Sequence, residues 1–258
     1  MDFVYFIGTA GSGKSTLTAT FLNWIKDLDR YAISVNLDPG VKRLPYRPEV
    51  DVREFIDLDA IIDKYNLGPN GALVVTMDLL ASNLSDIIRE INDFDADYVL
   101  IDTPGQLELF VFRSVGPYMV DALSSGNKNN TTLLYLLDAN ICRKPENLIS
   151  LQLLGMSMQF RFIRPQLNIL TKIDLLSETE LSQILSWMKD ETHFMESINE
   201  HLKGPVRELA LKVNTILHEF EIFTEAIPVS TKTEEGLDLL YGVLQRIFAG
   251  GEDLIFFK

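Results

Sequence analysis

Gly8-Thr9-Ala10-Gly11-Ser12-Gly13-Lys14-Ser15 has the residue types and spacing to wrap a triphosphate. Glycines let backbone N–H groups converge on phosphate oxygens, the lysine reaches the β and γ phosphates, and the serine after it can ligate Mg²⁺. The loop follows the apolar run Phe3–Ile7 and precedes a helix-competent stretch, the order such a cradle needs. Gly11, Ser12, Gly13, Lys14 and Ser15 are therefore expected phosphate binders, with Ser15 also a metal ligand.

Further along, Asp102-Thr103-Pro104-Gly105-Gln106 follows the apolar run Tyr98–Ile101. There Asp102 can hold a Mg²⁺ shell, and the Gly105 N–H can sense a γ-phosphate. Gln106 can orient an attacking water, since an amide both accepts and donates. Asn36-Leu37-Asp38-Pro39-Gly40 places Asp38 where it can act as base or position water, although Asp-Pro is also a turn signal. Thr171-Lys172-Ile173-Asp174 resembles the Asn-Lys-x-Asp base-recognition element of GTPases. A carboxylate at Asp174 accepts from the N1–H and N2–H₂ of guanine, a donor pair adenine does not offer. Ser230-Thr231-Lys232 resembles the last guanine-contacting element, in which a backbone N–H meets O6 and a lysine stem lies near the base. Arg43, Arg47, Arg53 and Arg113 could each lend positive charge to a transition state, but ordinary surface or ion-pair roles fit most of them better.

Positioning these groups requires a particular set of elements. Short β-branched or aromatic runs recur at Phe3–Ile7, Ala32–Leu37, Tyr98–Ile101, Leu133–Leu137, Leu167–Leu170 and Ala226–Val229, with helical patterns between them. Alternation of this kind indicates a parallel sheet covered on two sides, with ligands beyond the carboxyl ends of its strands. Gly8, Asp38, Asp102, Thr171 and Ser230 each follow one of the runs. Two segments exceed a minimal sheet of this type. One is the excursion 39–96, with Pro39, Pro45 and Pro48 and then Gly68-Pro69-Asn70 between two helical patterns. The other is a helical stretch from about 177 to 223, broken near Gly204-Pro205, whose apolar face is expected at Ile198, Leu202, Val206, Leu209, Val213 and Leu217. Residues 126–130 read as a loop, and Leu254-Ile255-Phe256-Phe257 as a tail that packs on a partner or, the favoured reading, back on the domain.

The whole chain is 258 residues long, a length suited to one large α/β domain. Its net charge of -14 opposes nucleic acid and anionic membranes unless a basic cluster intervenes, and the sequence has no such cluster. The single cysteine, Cys142, permits no internal disulfide and fits a reducing cytoplasm. No apolar run approaches the roughly 18 residues that suggest a membrane span, so a soluble protein is expected. His193, His201 and His218 are scattered without clustered carboxylates.

In order, the phosphate loop, Leu-Asp-Pro, Gly-Pro-Asn-Gly, Asp-Thr-Pro-Gly-Gln, Thr-Lys-Ile-Asp and Ser-x-Lys resemble the GPN-loop GTPases over nearly the whole chain, and the lack of a long acidic tail resembles the compact archaeal members. The resemblance implies an α/β, three-layer P-loop NTPase fold with a predominantly parallel sheet and a helical insertion at about 177–225. It also implies a Mg²⁺-dependent GTP hydrolase that works as a homodimer. In that family each subunit inserts its Gly-Pro-Asn loop into the neighbour's site, so Asn70 would act in trans near the γ-phosphate. Asp38 and Gln106 would hold the attacking water, and Thr16 would touch the α-phosphate. Ser15 and Asp102 would hold the metal, while Lys172 and Asp174 bind the base. A GTP-gated role in assembling protein complexes such as RNA polymerase is implied as well. Two positions depart from the family pattern. Thr171 replaces asparagine, which puts a side-chain tie to the phosphate loop in question but not the base choice; Thr231 stands where a smaller residue is usual. The competing expectation is a P-loop ATPase or small-molecule kinase of another branch, against which Asp174 and Ser230-Thr231-Lys232 argue.

Overall fold

The computed structural model describes residues 1–124, 130–221 and 225–249. Seven strands form one parallel sheet in the order β3-β2-β4-β1-β5-β6-β7. These are β1 Asp2–Gly8, β2 Ala32–Asn36, β3 Val50–Asp51, β4 Tyr98–Asp102, β5 Thr131–Asp138, β6 Gln166–Thr171 and β7 Ile227–Val229. Strands β1, β2 and β4 are buried nearly throughout, as expected for a sheet with helices on both faces. One apolar layer, containing Tyr5, Ile33, Val99, Leu133 and Tyr135, lies under α4 (Pro69–Ser82), α5 (Leu84–Asn92), α7 (Val115–Leu123) and α8 (Pro145–Phe162). The other, containing Phe6, Leu100, Leu134 and Ile169, lies under α1 (Lys14–Asp27) and α12 (Leu237–Phe248). This is the expected three-layer α/β P-loop NTPase fold.

Six of the strands match the apolar runs of the sequence. The seventh, β3, has two residues and pairs Val50 with Val35 and Asp51 with Asn36 at the sheet edge. It is too short to produce a periodic signal. Between β3 and β4 the excursion forms α2 (Val52–Phe55), α3 (Leu58–Tyr65), α4 and α5. Two short helices, α6 (Leu107–Phe110) and α7, follow β4. Gly116 of α7 crosses α6 so closely that an added Cβ would stand 1.6 Å from the Phe110 carbonyl oxygen.

The helical stretch after β6 is three helices: α9 (Glu178–Lys189), α10 (Glu191–His201) and α11 (Gly204–Glu219). Ser177 and Glu180 form a reciprocal capping box at the start of α9, and Asp190 caps α10 through the N–H groups of Thr192 and His193. The apolar face expected across this region is only partly correct. Ile198 and Leu217 are buried, whereas Val206 and Leu209 are 60% and 62% exposed. Helix α11 instead buries Ala210, Asn214 and Leu217, with the Asn214 amide donating to the Glu191 carbonyl at 3.1 Å. The expectations for the loop at 126–129 and for the tail Leu254–Phe257 lie outside the described residues. Among the described residues no single helix is long and apolar enough to cross a membrane.

Candidate functional site

A parallel sheet delivers every strand's carboxyl end to one edge, and that edge carries the polar motifs. Strand β1 ends at Gly8, where an added Cβ would meet Ser12 Oγ at 2.7 Å and the Leu136 carbonyl at 2.8 Å, so the chain can leave the sheet there only as glycine. Gly11 and Gly13 have φ of 79° and 98°, left-handed values that turn the loop into the N-terminus of α1. The loop thus ends where the α1 dipole and its unpaired N–H groups favour phosphate. Ser12 and Lys14 are buried, Ser15 is half-buried, and Gly11 and Thr16 are exposed. Lys14 Nζ donates to the carbonyls of Gly8 (3.0 Å) and Thr9 (3.1 Å). Burial lowers the Lys14 pKa, while Asp102 and Asp38 act to raise it, so both carboxylates lie within electrostatic reach of the phosphate lysine.

Strand β4 delivers Asp102, which is 1% exposed. Burial pushes its pKa up to about 6, against the lowering influence of the Ser15 hydroxyl, Lys14 and Tyr46. The phenol of Tyr46 donates to Asp102 Oδ2 at 3.1 Å, and Asp102 Oδ1 is buried without a protein partner. The turn after it is tied back to β1 by the Thr103 hydroxyl, which donates to the Phe6 carbonyl at 2.7 Å. Gly105 lies over the phosphate loop, its ideal Cβ position 3.4 Å from Ala10 Cα and 3.5 Å from Lys14 Nζ. Gln106 is exposed at the N-cap of α6.

Asp38 is held by its surroundings. The Leu37 N–H donates to the Asp102 carbonyl at 2.9 Å, and Asp38 Oδ1 accepts from the Gly40 N–H at 2.9 Å. Asn36 clamps the turn from both sides. Its Oδ1 accepts from the Asp38 N–H at 3.0 Å, and its amide donates to the Asp38 carbonyl at 3.1 Å and to Asp51 Oδ1 at 2.9 Å. Arg53 grips Asp51 and also donates to the Val41 carbonyl, and Arg113 pairs with Asp78. Both arginines are therefore committed to ion pairs, while Arg43 and Arg47 are exposed. Gly68, Pro69 and Asn70 form the exposed start of α4, with Pro69 at the first helical position. One turn later, Leu73 packs on Gly40, where an added Cβ would lie 2.9 Å from Leu73 Cδ2, so the first turns of α4 abut the Asp38 turn.

On the other side of the loop, Thr171 retains the tie that its replacement of asparagine put in question. Its Oγ1 lies 2.7 Å from the Ser12 carbonyl and 3.1 Å from that of Leu137. Lys172 reaches back to the Gly11 carbonyl at 2.5 Å and to Asp138 Oδ2 at 2.6 Å. Asp174 is exposed, and its Oδ1 accepts from the Ser230 hydroxyl at 3.0 Å. Ser230 is fixed in turn by the N–H groups of Lys232 and Thr233, both at 3.2 Å. Thr231 is half-buried and Lys232 exposed. The two elements expected to read the base are thus in direct contact across 56 residues of sequence.

No motif in the sequence marks a role for Asn36, Tyr46, Thr103 or Asp138. Asp138 was within reach of the strand-end rule, because it ends β5, the strand for which no site residue was expected. Tyr46 sits in an irregular segment 56 residues from its partner, and no local pattern marks it.

Such an edge defines the class: a P-loop nucleoside triphosphatase whose Lys-x-Asp element lies against a Ser-x-Lys turn. Residues 6–250 match the family described as "Conserved hypothetical ATP binding protein". The chain is 34% identical to GPN-loop GTPase PAB0955 of Pyrococcus abyssi, over 91% of this chain and 92% of the relative. It is 29% identical to GPN-loop GTPase 3 of Eremothecium gossypii, over 96% and 92%. The crystal structure of PAB0955, a GTPase in apo form, superposes with a TM-score of 0.84 at 31% identity, covering 96% of this chain and 98% of that one. The chain belongs to the GPN-loop GTPase family and is a GTP hydrolase. The family description mentions ATP, but the named relatives are GTPases, in keeping with the carboxylate at Asp174.

Proposed function

We propose that this GTPase is magnesium-dependent and works as a GTP-gated homodimer, each subunit lending Asn70 to its neighbour's site. The donor set fits the metal: Asp102 offers a buried oxygen without a partner, and the Ser15 hydroxyl lies beside it. Ser15 and Asp102 would hold Mg²⁺, which when bound neutralises charge building on the β and γ phosphates. The chain's own groups supply the rest by positioning. The phosphate-loop N–H groups and Lys14 hold the triphosphate, and the Gly105 N–H faces the γ-phosphate. Asp38 and Gln106 orient the attacking water. Lys172, Asp174 and the Ser230-Thr231-Lys232 turn seat guanine.

The observation that carries the trans role is the exposure of Gly68, Pro69 and Asn70 at the start of a helix whose next turn packs on the Asp38 segment. An exposed amide at that helix's positive end can donate to charge developing on a phosphate in a second copy. Mixing two inactive variants tests it. Lys14→Ala removes a subunit's own phosphate site, and Asn70→Ala removes the group it lends. A mixed dimer then contains one intact composite site, so activity should return on mixing. If Asn70 serves its own subunit, the mixture stays inactive. The Asn70→Ala homodimer should bind GTP normally yet turn over on the order of a hundredfold more slowly.

The output of the cycle is proposed to be the GTP-dependent grip on a protein client, with hydrolysis as the reset. Client recovery should be greater with a non-hydrolysable GTP analogue than with GDP, and equal recovery would contradict gating. A cytoplasmic location fits the lone cysteine, Cys142, which is buried.

A further inference from the structure

We infer that Tyr46 is a positioning residue for the metal site, using its phenol to fix which oxygen of Asp102 is presented to Mg²⁺. The inference rests on the metal reading above.

Three observations support it. The Tyr46 O–H donates to Asp102 Oδ2 at 3.1 Å, while Oδ1 of the same carboxylate is buried with no protein partner. One oxygen is therefore committed to the phenol and the other left for a ligand. Secondly, Asp102 ends β4 in register with Asn36 of β2 and Phe6 of β1, so its backbone is fixed and only its side-chain torsions remain to be set. Thirdly, the phenol is delivered by a constrained segment. Tyr46 lies in Pro45-Tyr46-Arg47-Pro48, where each proline fixes its own φ and biases the residue before it towards extended backbone. Arg53 secures one end of the segment at the Val41 carbonyl, at 2.9 Å. Glu49 secures the other, accepting from the Ser34 N–H at 2.7 Å, the Ser34 hydroxyl at 2.8 Å and Lys26 Nζ at 3.0 Å. A segment pinned at both ends presents the hydroxyl at low entropic cost.

Tyr46→Phe keeps the ring and deletes the donor. Without it, Asp102 Oδ2 loses its partner and the carboxylate is free to turn, so the metal has to order it on binding. The test follows retention of a fluorescent GDP analogue as Mg²⁺ is titrated, with a parallel measurement of nucleotide affinity in EDTA. In Tyr46→Phe the Mg²⁺ midpoint should rise about tenfold, the scale of one hydrogen bond to a charged group, with affinity in EDTA unchanged. Tyr46→Ala should shift it at least as far, and Tyr118→Phe, at an exposed phenol, should leave it in place. A Mg²⁺-dependent wild type with an unshifted Tyr46→Phe overturns the role of Tyr46 alone. Equal losses with and without Mg²⁺ also overturn it, since they mark a purely structural residue. A wild type that retains GDP equally in Mg²⁺ and EDTA overturns the metal reading and this inference together.

Discussion

Thr171 shows how one hydroxyl can stand in for a longer amide. Its Oγ1 contacts the Ser12 carbonyl inside the phosphate loop, so the segment that carries Asp174 and the loop that carries the phosphates are joined through a buried side chain. Thr171→Val keeps the shape and removes the donor. It should cost roughly 1–3 kcal/mol, the range for a buried acceptor left unsatisfied, read as a lower melting temperature together with weaker GTP binding. Asp102 gives a pH signature. Burial raises its pKa from 3.8 to about 6, so the folded chain holds the proton more tightly than the unfolded one. Its share of nucleotide-free stability is therefore fully present below pH 4 and is lost as pH rises through 6, a change of about 3 kcal/mol. The proposed Mg²⁺ site needs the ionised form, so Mg²⁺-dependent GDP retention should move the opposite way and weaken as pH falls below 6. Titrating the Asp102→Asn variant beside the wild type isolates both effects. Thr171 and Ser230 were legible because each follows an apolar run directly, and Asp174 because it closes the Thr-Lys-x-Asp spacing that begins there. Tyr46 was not, because its role arises only when its segment folds back on Asp102 of β4, nor was Asn36, whose amide finds Asp51 only once the two-residue β3 pairs with β2.

At the scale of elements, the strand-loop-helix order around Gly8–Ser15 and the six longer strands could be read from periodicity and turn residues. Close packing could not. The five residues Val206, Leu209, Val213, Ile216 and Phe220 repeat at spacings of three and four, yet four of them are exposed, while the line that packs includes the polar Asn214. Apolar spacing identifies a helix and a stripe, but which stripe meets the core depends on neighbouring helices. Gly116 is similar: the sequence shows a glycine inside a helical run, and only the α6–α7 crossing explains it. Gly116→Ala should lower stability by about 3 kcal/mol or more, because the clash is with a backbone carbonyl that no rotamer change relieves. A melting temperature within a degree of wild type would contradict this crossing.

For the molecule as a whole, seven parallel strands gather residues from 8 to 232 onto one edge, and this convergence makes the ordered motifs a single site. The net charge of -14 sits on a protein whose ligand is itself polyanionic, so in the proposed site affinity would come from local geometry, from loop amides, the α1 dipole and Lys14, not from the global field. We propose that the Asp174–Ser230 contact forms a guanine-selective pocket joined to that phosphate loop. Calorimetry with GTP and with ATP in Mg²⁺ buffer, on wild type and Asp174→Asn, decides whether it does. Wild type should bind GTP at least on the order of a hundredfold more tightly than ATP, and the variant should lose most of that preference. Comparable affinities of the wild type for the two nucleotides would contradict the claim.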